Sequence, residues 1–152
     1  MTQTARAMDS VPQNQDTTPL ALARALVDSI ESHELDRVPA LYAANTRIED
    51  PGGAVFESGE ALKSHLGRLI EAFPDIHHEV IHTIESQDSA VIQGRITGTH
   101  TGPLALPGGA VPPTGRRIDL RFAFLVRAQD GAIVRDDLYF DRADMNEQLG
   151  LA

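Results

Sequence analysis

The chain has 152 residues, a length that suits one domain with a substantial core. It contains no cysteine, which excludes disulfides, thiol nucleophiles and cysteine-based zinc sites. Its net charge of −9 comes without a block of basic residues, so nucleic acid and anionic membranes are not expected partners. No apolar run is long enough to predict a membrane span.

Residues 1–17, ending in "NQDT", have no apolar stretch of the secretory kind and are expected to form a flexible tail. A cytoplasmic location and a single domain over 18–152 are the corresponding expectations. Thr18 can cap a first helix and Pro19 suits its first position. Leu22, Ala23, Leu26, Val27 and Ile30 fall on one face at helical spacing. A short second helix is expected from Asp36, with Leu35, Val38, Leu41 and Tyr42 on its buried side. "TRIEDPGGAVFESG" reads as a short extended piece broken by Pro51 and two glycines. A third helix is predicted from Gly59 to Phe73, with Leu62, Leu66, Leu69, Ile70 and Phe73 as its stripe and Pro74 as its stop.

After Pro74 the period changes. "IHHEVIHTIES", "SAVIQGRITGTHT", "RRIDLRFAFLVRA" and "AIVRDDLYFD" read as strands, and "RADMNEQLG" as a closing helix. "GPLALPGGAVPPTG" reads as a long loop of a functional or interface-forming kind. Helices first and antiparallel strands afterwards predict an α+β fold, with helices on one face of a curved sheet.

The stretch "IVRDDLYFD" holds the most informative acids. In the preceding strand Ile118, Leu120, Phe122, Phe124 and Val126 alternate with a mostly charged set, which puts the even positions on the apolar face. A three-residue turn with a bulge at Gly131 would pair 124 with 136. That register points Val134, Asp136, Leu138 and Phe140 inward, and Ile133, Arg135, Asp137, Tyr139 and Asp141 outward, with Asp137 near Arg121. A two-residue Asp-Gly turn would pair 124 with 137 and turn Asp137 inward instead. The first is preferred because it keeps the apolar residues together. An inward Asp136 among phenylalanines would have its pKa raised by desolvation, as a general acid or base near neutrality requires. The competing reading is a carboxylate at the sheet rim, paired with Arg95 or reached by water.

The order of parts, with "IEDP", "GTHTG", "PPTGR", "DGAIV" and a terminal "QLG", resembles the SnoaL-like polyketide cyclases over about residues 20–150. The resemblance implies the nuclear-transport-factor-2-like cone, with N-terminal helices on the concave face of a mostly antiparallel sheet. It implies a cofactor-free, metal-free cyclase or isomerase that uses an acid of the last strand on an apolar small molecule. The related limonene-epoxide-hydrolase-like enzymes use an Asp-Arg-Asp set to activate water. That pattern would place its acids at Thr97 and Leu138, and only Arg95 matches. The acid of many cyclase relatives also falls on Leu138, one inward step beyond Asp136. A homodimer is implied as well, and Leu125, Ile133 and Tyr139 are the apolar residues expected on the outer face.

On this basis Asp136, Asp50, Arg95 and His100 are the candidate catalytic residues. Asp136 would move a proton next to a carbonyl, and the other three would stabilise the developing oxyanion. Tyr42, Phe73, Thr97, Phe122, Phe124, Leu138 and Phe140 are candidate substrate contacts. Each has a plainer reading. Asp50 can fix the turn before Pro51, and His100 can bond to the following loop. Arg95 can be a solvent-face charge, and Tyr42 a core tyrosine with a wet tip. His78 and His82 lie about 13 Å apart on a strand, too far to share a metal. A non-catalytic binder on the same cone is the alternative of a different kind.

Overall fold

The computed structural model describes residues 17–151; the sixteen residues before them, where the tail is expected, lie outside it. Helix α1 (Pro19–Glu31) starts where the sequence predicts, with the Thr18 hydroxyl accepting from the Ala21 amide at 3.2 Å. Its buried face is Leu22, Ala23, Leu26, Val27 and Ile30. The expected second helix does not form. Two single turns of 3₁₀ helix, Leu35–Arg37 and Pro39–Leu41, take its place. Val38 keeps helical backbone angles, but Pro39 has no N–H to donate to a preceding carbonyl, so the two turns do not join into one helix, and the chain passes into a strand at Tyr42.

Strand β1 (Tyr42–Glu49) turns back into the short β2 (Val55–Phe56). Helix α2 (Gly59–Ala72) follows, capped by Ser58, whose hydroxyl accepts from the Ala61 amide at 3.1 Å. Then come β3 (His77–Glu85), β4 (Ser89–Thr99), a small hairpin of β5 (Leu104–Leu106) and β6 (Gly109–Val111), β7 (Arg117–Gln129), β8 (Ala132–Phe140) and α3 (Arg142–Leu149). The hairpin β5–β6 lies inside the segment read from sequence as a loop.

The main sheet has the order β2-β1-β8-β7-β4-β3. All neighbours are antiparallel except β1 and β8, which run parallel. The sheet is curled but unclosed, and the fold is α+β. Helix α1 packs on β3, β4 and β7, and α2 packs on β1 and β5. The core lies between these helices and the even face of β7, where Ile118, Leu120, Phe122, Phe124 and Val126 are all buried.

The β7–β8 connection corrects the expected register. Asp130 and Gly131 both have positive φ (50° and 76°), so the turn has two residues, with Gln129 opposite Ala132. A bulge follows immediately, between Arg127 and Ala128 in the pairing, after which Phe124 faces Leu138 and Val126 faces Asp136. The physical reason lies in the side chains. Ile133 and Leu138 have opposite parity, and one extra residue between them lets both turn towards the core. Ile133 is therefore fully buried and Val134 only partly, the reverse of the expectation. Tyr139 stays outside, 58% exposed.

Candidate functional site

After the bulge, the even residues of β8 face the concave side. This turns Asp136 into the space between the sheet and the two long helices. Its carboxylate is 3% exposed and accepts a hydrogen bond of 2.5 Å from the Tyr42 hydroxyl. Tyr42 reaches it because β1 runs parallel beside β8, with Tyr42 opposite Ile133 and Ile48 opposite Asp136. Tyr42 is thus a strand residue bonded to the acid, rather than a helix residue at the pocket mouth.

Burial is the largest influence on Asp136 and raises its pKa to about 7; the Tyr42 bond opposes this, and the neighbouring Asp137 adds to it. Burial first, then the Asp136 charge and hydrogen bond, push the Tyr42 hydroxyl well above its ordinary value, so it remains a donor.

The cavity beside Asp136 has a volume of about 90 Å³. Its apolar walls come from α1, α2 and the sheet, including Leu26, Ile30, Leu66, Phe122, Phe124 and Leu138. Its polar lining residues are Asp136, Glu49, Asp50, His65 and His78. Phe122, Phe124 and Leu138 thus lie where the sequence reading put them. Phe140 packs against the core on the same strand but does not line the cavity.

Other expected site residues lie elsewhere. On β4 the even residues are the buried ones, so Arg95 and Thr97 occupy the outer face. Arg95 is bound there to Asp119 at 2.8 Å and does not meet Asp136. The signal was present in the sequence: Ala90, Ile92, Gly94, Ile96 and Gly98 form the small and apolar set. His100 is fully buried, with its Nδ1 accepting from the Thr114 amide at 3.2 Å, and does not line the cavity. Burial lowers its pKa, with the Gly102 backbone opposing. Phe73 packs on the His100 ring, with centroids 5.3 Å apart, instead of contacting the cavity.

Asp50 is in the cavity lining, but its Oδ1 is committed to the Gly52 and Ala54 amides at 2.8 and 3.1 Å. It fixes the β1–β2 turn, as its plainer reading held. Its second oxygen lies 4.0 Å from His65 Nε2.

Two cavity histidines were not read as site residues. His65 falls at helical spacing between Leu62 and Leu69, on the face that turns inward. Burial lowers its pKa, while the Asp50 charge opposes. His78 was considered only as a metal ligand. In the structure Glu31, at the end of α1, accepts from the His78 amide at 2.7 Å and contacts His78 Nδ1 at 2.9 Å. The second Glu31 oxygen meets His77 Nδ1 at 2.8 Å, so the two neighbouring rings converge on one carboxylate instead of diverging. Burial alone would raise the Glu31 pKa; the bonds from His78 and His77 overcome it and bring the value to about 2.

Among the described residues no cluster of three or more His, Cys, Asp or Glu could hold a metal ion, and no helix is long and apolar enough to cross a membrane.

The SnoaL-like domain family model matches residues 23–136. No curated protein matches the chain. A protein from Jannaschia sp. CCS1, provisionally named a SnoaL-like polyketide cyclase, shares 20% identity, with a TM-score of 0.78 over 95% of this chain and 98% of that one. IdmH from Streptomyces antibioticus, provisionally named a polyketide cyclase, shares 26% identity, with a TM-score of 0.71 over 87% and 98%. A limonene-epoxide-hydrolase-like enzyme of M. tuberculosis shares 15% identity, with a TM-score of 0.64 over 84% and 86%. The first and third show likeness of fold alone. The set expected for epoxide hydrolysis is not assembled here: Arg95 and Thr97 face outward, and position 138 is leucine.

Proposed function

Because the chain belongs to the SnoaL-like domain family, we propose that its cavity performs cofactor-free acid–base chemistry of the cyclase or isomerase kind on an apolar, polyketide-like carbonyl compound. The observation that carries this reading is the buried Asp136 on the wall of an apolar cavity, bonded from behind by Tyr42, with the carboxyl near pKa 7. A carboxyl balanced between its two forms at neutral pH can both take and return a proton.

In the proposed reaction the Asp136 carboxylate removes a proton from a carbon beside a carbonyl. The C–H electron pair becomes the C=C bond of an enolate, and the carbonyl π pair moves to oxygen. In an isomerisation Asp136 returns the proton to a different carbon. In a cyclisation the enolate re-forms its carbonyl as its carbon attacks a second carbonyl of the same molecule; the π pair of that second carbonyl moves to its oxygen, and Asp136 gives the proton to the alkoxide formed there. Tyr42 orients the carboxyl and keeps its own proton throughout. The apolar walls exclude water that would quench the enolate.

The test is solvent deuterium exchange at the carbon next to the carbonyl of a bicyclic ketone such as tetralone, followed by proton NMR. The wild-type protein accelerates exchange, and Asp136→Asn removes the acceleration while ketone binding persists. Binding without exchange in either protein would establish a non-catalytic binder and overturn the reading. Incorporation of labelled solvent oxygen into product would establish hydrolysis instead.

A further inference from the structure

The polar residues of the cavity do not form one group. Asp136 is on β8, Glu49 ends the adjoining β1 and Asp50 follows it, and His65 comes from α2, which packs on β1. His78 stands apart from them. It is on β3, at the opposite edge of the sheet, with β7 and β4 between it and β8.

The register sets the scale of that separation. Asp136 is opposite Val126 on β7, whereas the His78 ring sits edge-on against Phe122, with centroids 5.7 Å apart. Val126 and Phe122 are four residues apart on one strand, about 13 Å at the ordinary strand rise. Between the two ends the cavity wall is Phe124, Phe122 and Leu138.

The orientation of the His78 ring follows from its partner. Glu31 meets His78 Nδ1 at 2.9 Å, and a carboxylate there accepts, so Nδ1 is the ring nitrogen that donates to it. Nε2 is the nitrogen left without that partner, and in the Nδ1–H tautomer it can accept. Nε2 makes no hydrogen bond among the described residues, although the ring lines the cavity. The Glu31 bonds to both the ring and the backbone of His78 fix its orientation as well as its tautomer.

We propose that His78 is a specificity-determining residue that accepts a hydrogen bond from a hydroxyl at the far end of the substrate, and that Glu31 is its positioning residue. This rests on the function proposed above and narrows it. The substrate is an elongated, flat, apolar body. It carries a reacting carbonyl at the Asp136 end and a phenolic or enolic hydroxyl at the His78 end. The wall between them is apolar and includes Phe122 and Phe124.

The probes are a tetralone with a hydroxyl on the ring remote from the carbonyl, and its methyl ether. Affinities for the full-length protein are measured by calorimetry, and folding of each variant is checked by thermal melt. Wild type binds the hydroxyl compound about tenfold more tightly than the ether, the worth of one good hydrogen bond. His78→Phe erases this preference. Glu31→Gln weakens the preference by releasing the ring, and shifts the His78 nitrogen resonances away from the single tautomer. Asp136→Asn keeps the preference. A preference that survives His78→Phe overturns the proposal. So does one lost in Asp136→Asn but kept in His78→Phe, which would place the hydroxyl at the wrong end. Failure of wild type to bind either compound also overturns it. The acid–base reading fails by a separate observation, unchanged deuterium exchange in Asp136→Asn.

Discussion

Asp136 and Asp137 are neighbours on β8 and almost equally hidden, at 3% and 6% exposure, yet the two faces of the strand treat them differently. On the outer face Asp137 receives two bonds from the Arg135 guanidinium, at 2.9 and 3.0 Å. On the inner face, among the described residues, Asp136 has no cation bonded to it; it receives one bond, from a tyrosine hydroxyl. Burial alone therefore does not make an acid chemically useful. An acid buried beside its counter-charge is a structural ion pair. One buried beside a neutral donor can hold or release its proton near neutrality, as the value of about 7 for Asp136 states.

Substitutions on the two faces break this comparison in order of size. Asp136→Asn should lower turnover on any accepted ketone by about 10²–10⁴-fold, whereas Asp137→Asn should change it only a few-fold, as steady-state kinetics would show. Equal losses would remove the distinction.

Stability should move in opposite directions. The folded-state value of about 7 for Asp136 lies above its ordinary 3.8, so the fold favours the protonated acid. That preference is satisfied in full below about pH 4, and the penalty for ionising the acid grows as pH rises through 7. Asp136→Asn should therefore stabilise the protein at pH 8 to 9, by up to about 4 kcal/mol, and change little at pH 4. Asp137→Asn should instead destabilise at pH 8, by about 1–2 kcal/mol, because Arg135 loses its bidentate partner. Urea denaturation at the two pH values reads both.

A smaller change sharpens the inner face. The Tyr42 bond lowers the Asp136 pKa, so Tyr42→Phe should move the acidic limb of the pH–rate profile upward by about one unit. It should reduce turnover by about tenfold through lost orientation. The smallest effect is expected at Arg95→Ala, on the outer face: turnover within about twofold of wild type and stability within about 0.5 kcal/mol.

The sequence made these faces legible wherever periodicity was unbroken. The helical stripe of α1 and the even face of β7 are local patterns of apolar side chains, and both fold as the patterns require. The inward direction of Asp136 was also read correctly, but through a register that did not form. The actual turn and bulge displace the pairing by two residues from the expected one, and an even displacement preserves parity. Ile133 and Val134 lie before parity is restored, and so they were misread. Tyr42 could not be assigned from local pattern, because its place depends on β8, far along the chain. The pairing of Glu31 with His78 likewise joins distant segments, 47 positions apart in the chain. Arg95 was a different case, since the small and apolar even positions of β4 already pointed it outward.

The central position of β8 has a consequence for biosynthesis. Tyr42 is made early and its partner Asp136 is made 94 residues later. In the finished sheet β8 lies between β1 and β7, so the first hairpin has no neighbour to join until the final strand arrives. A nascent chain still short of that strand holds the tyrosine, both helices and most of the apolar wall, yet has no acid to offer a ketone. The ribosome thus releases the reactive pair last, once the chamber that shields it can close around it.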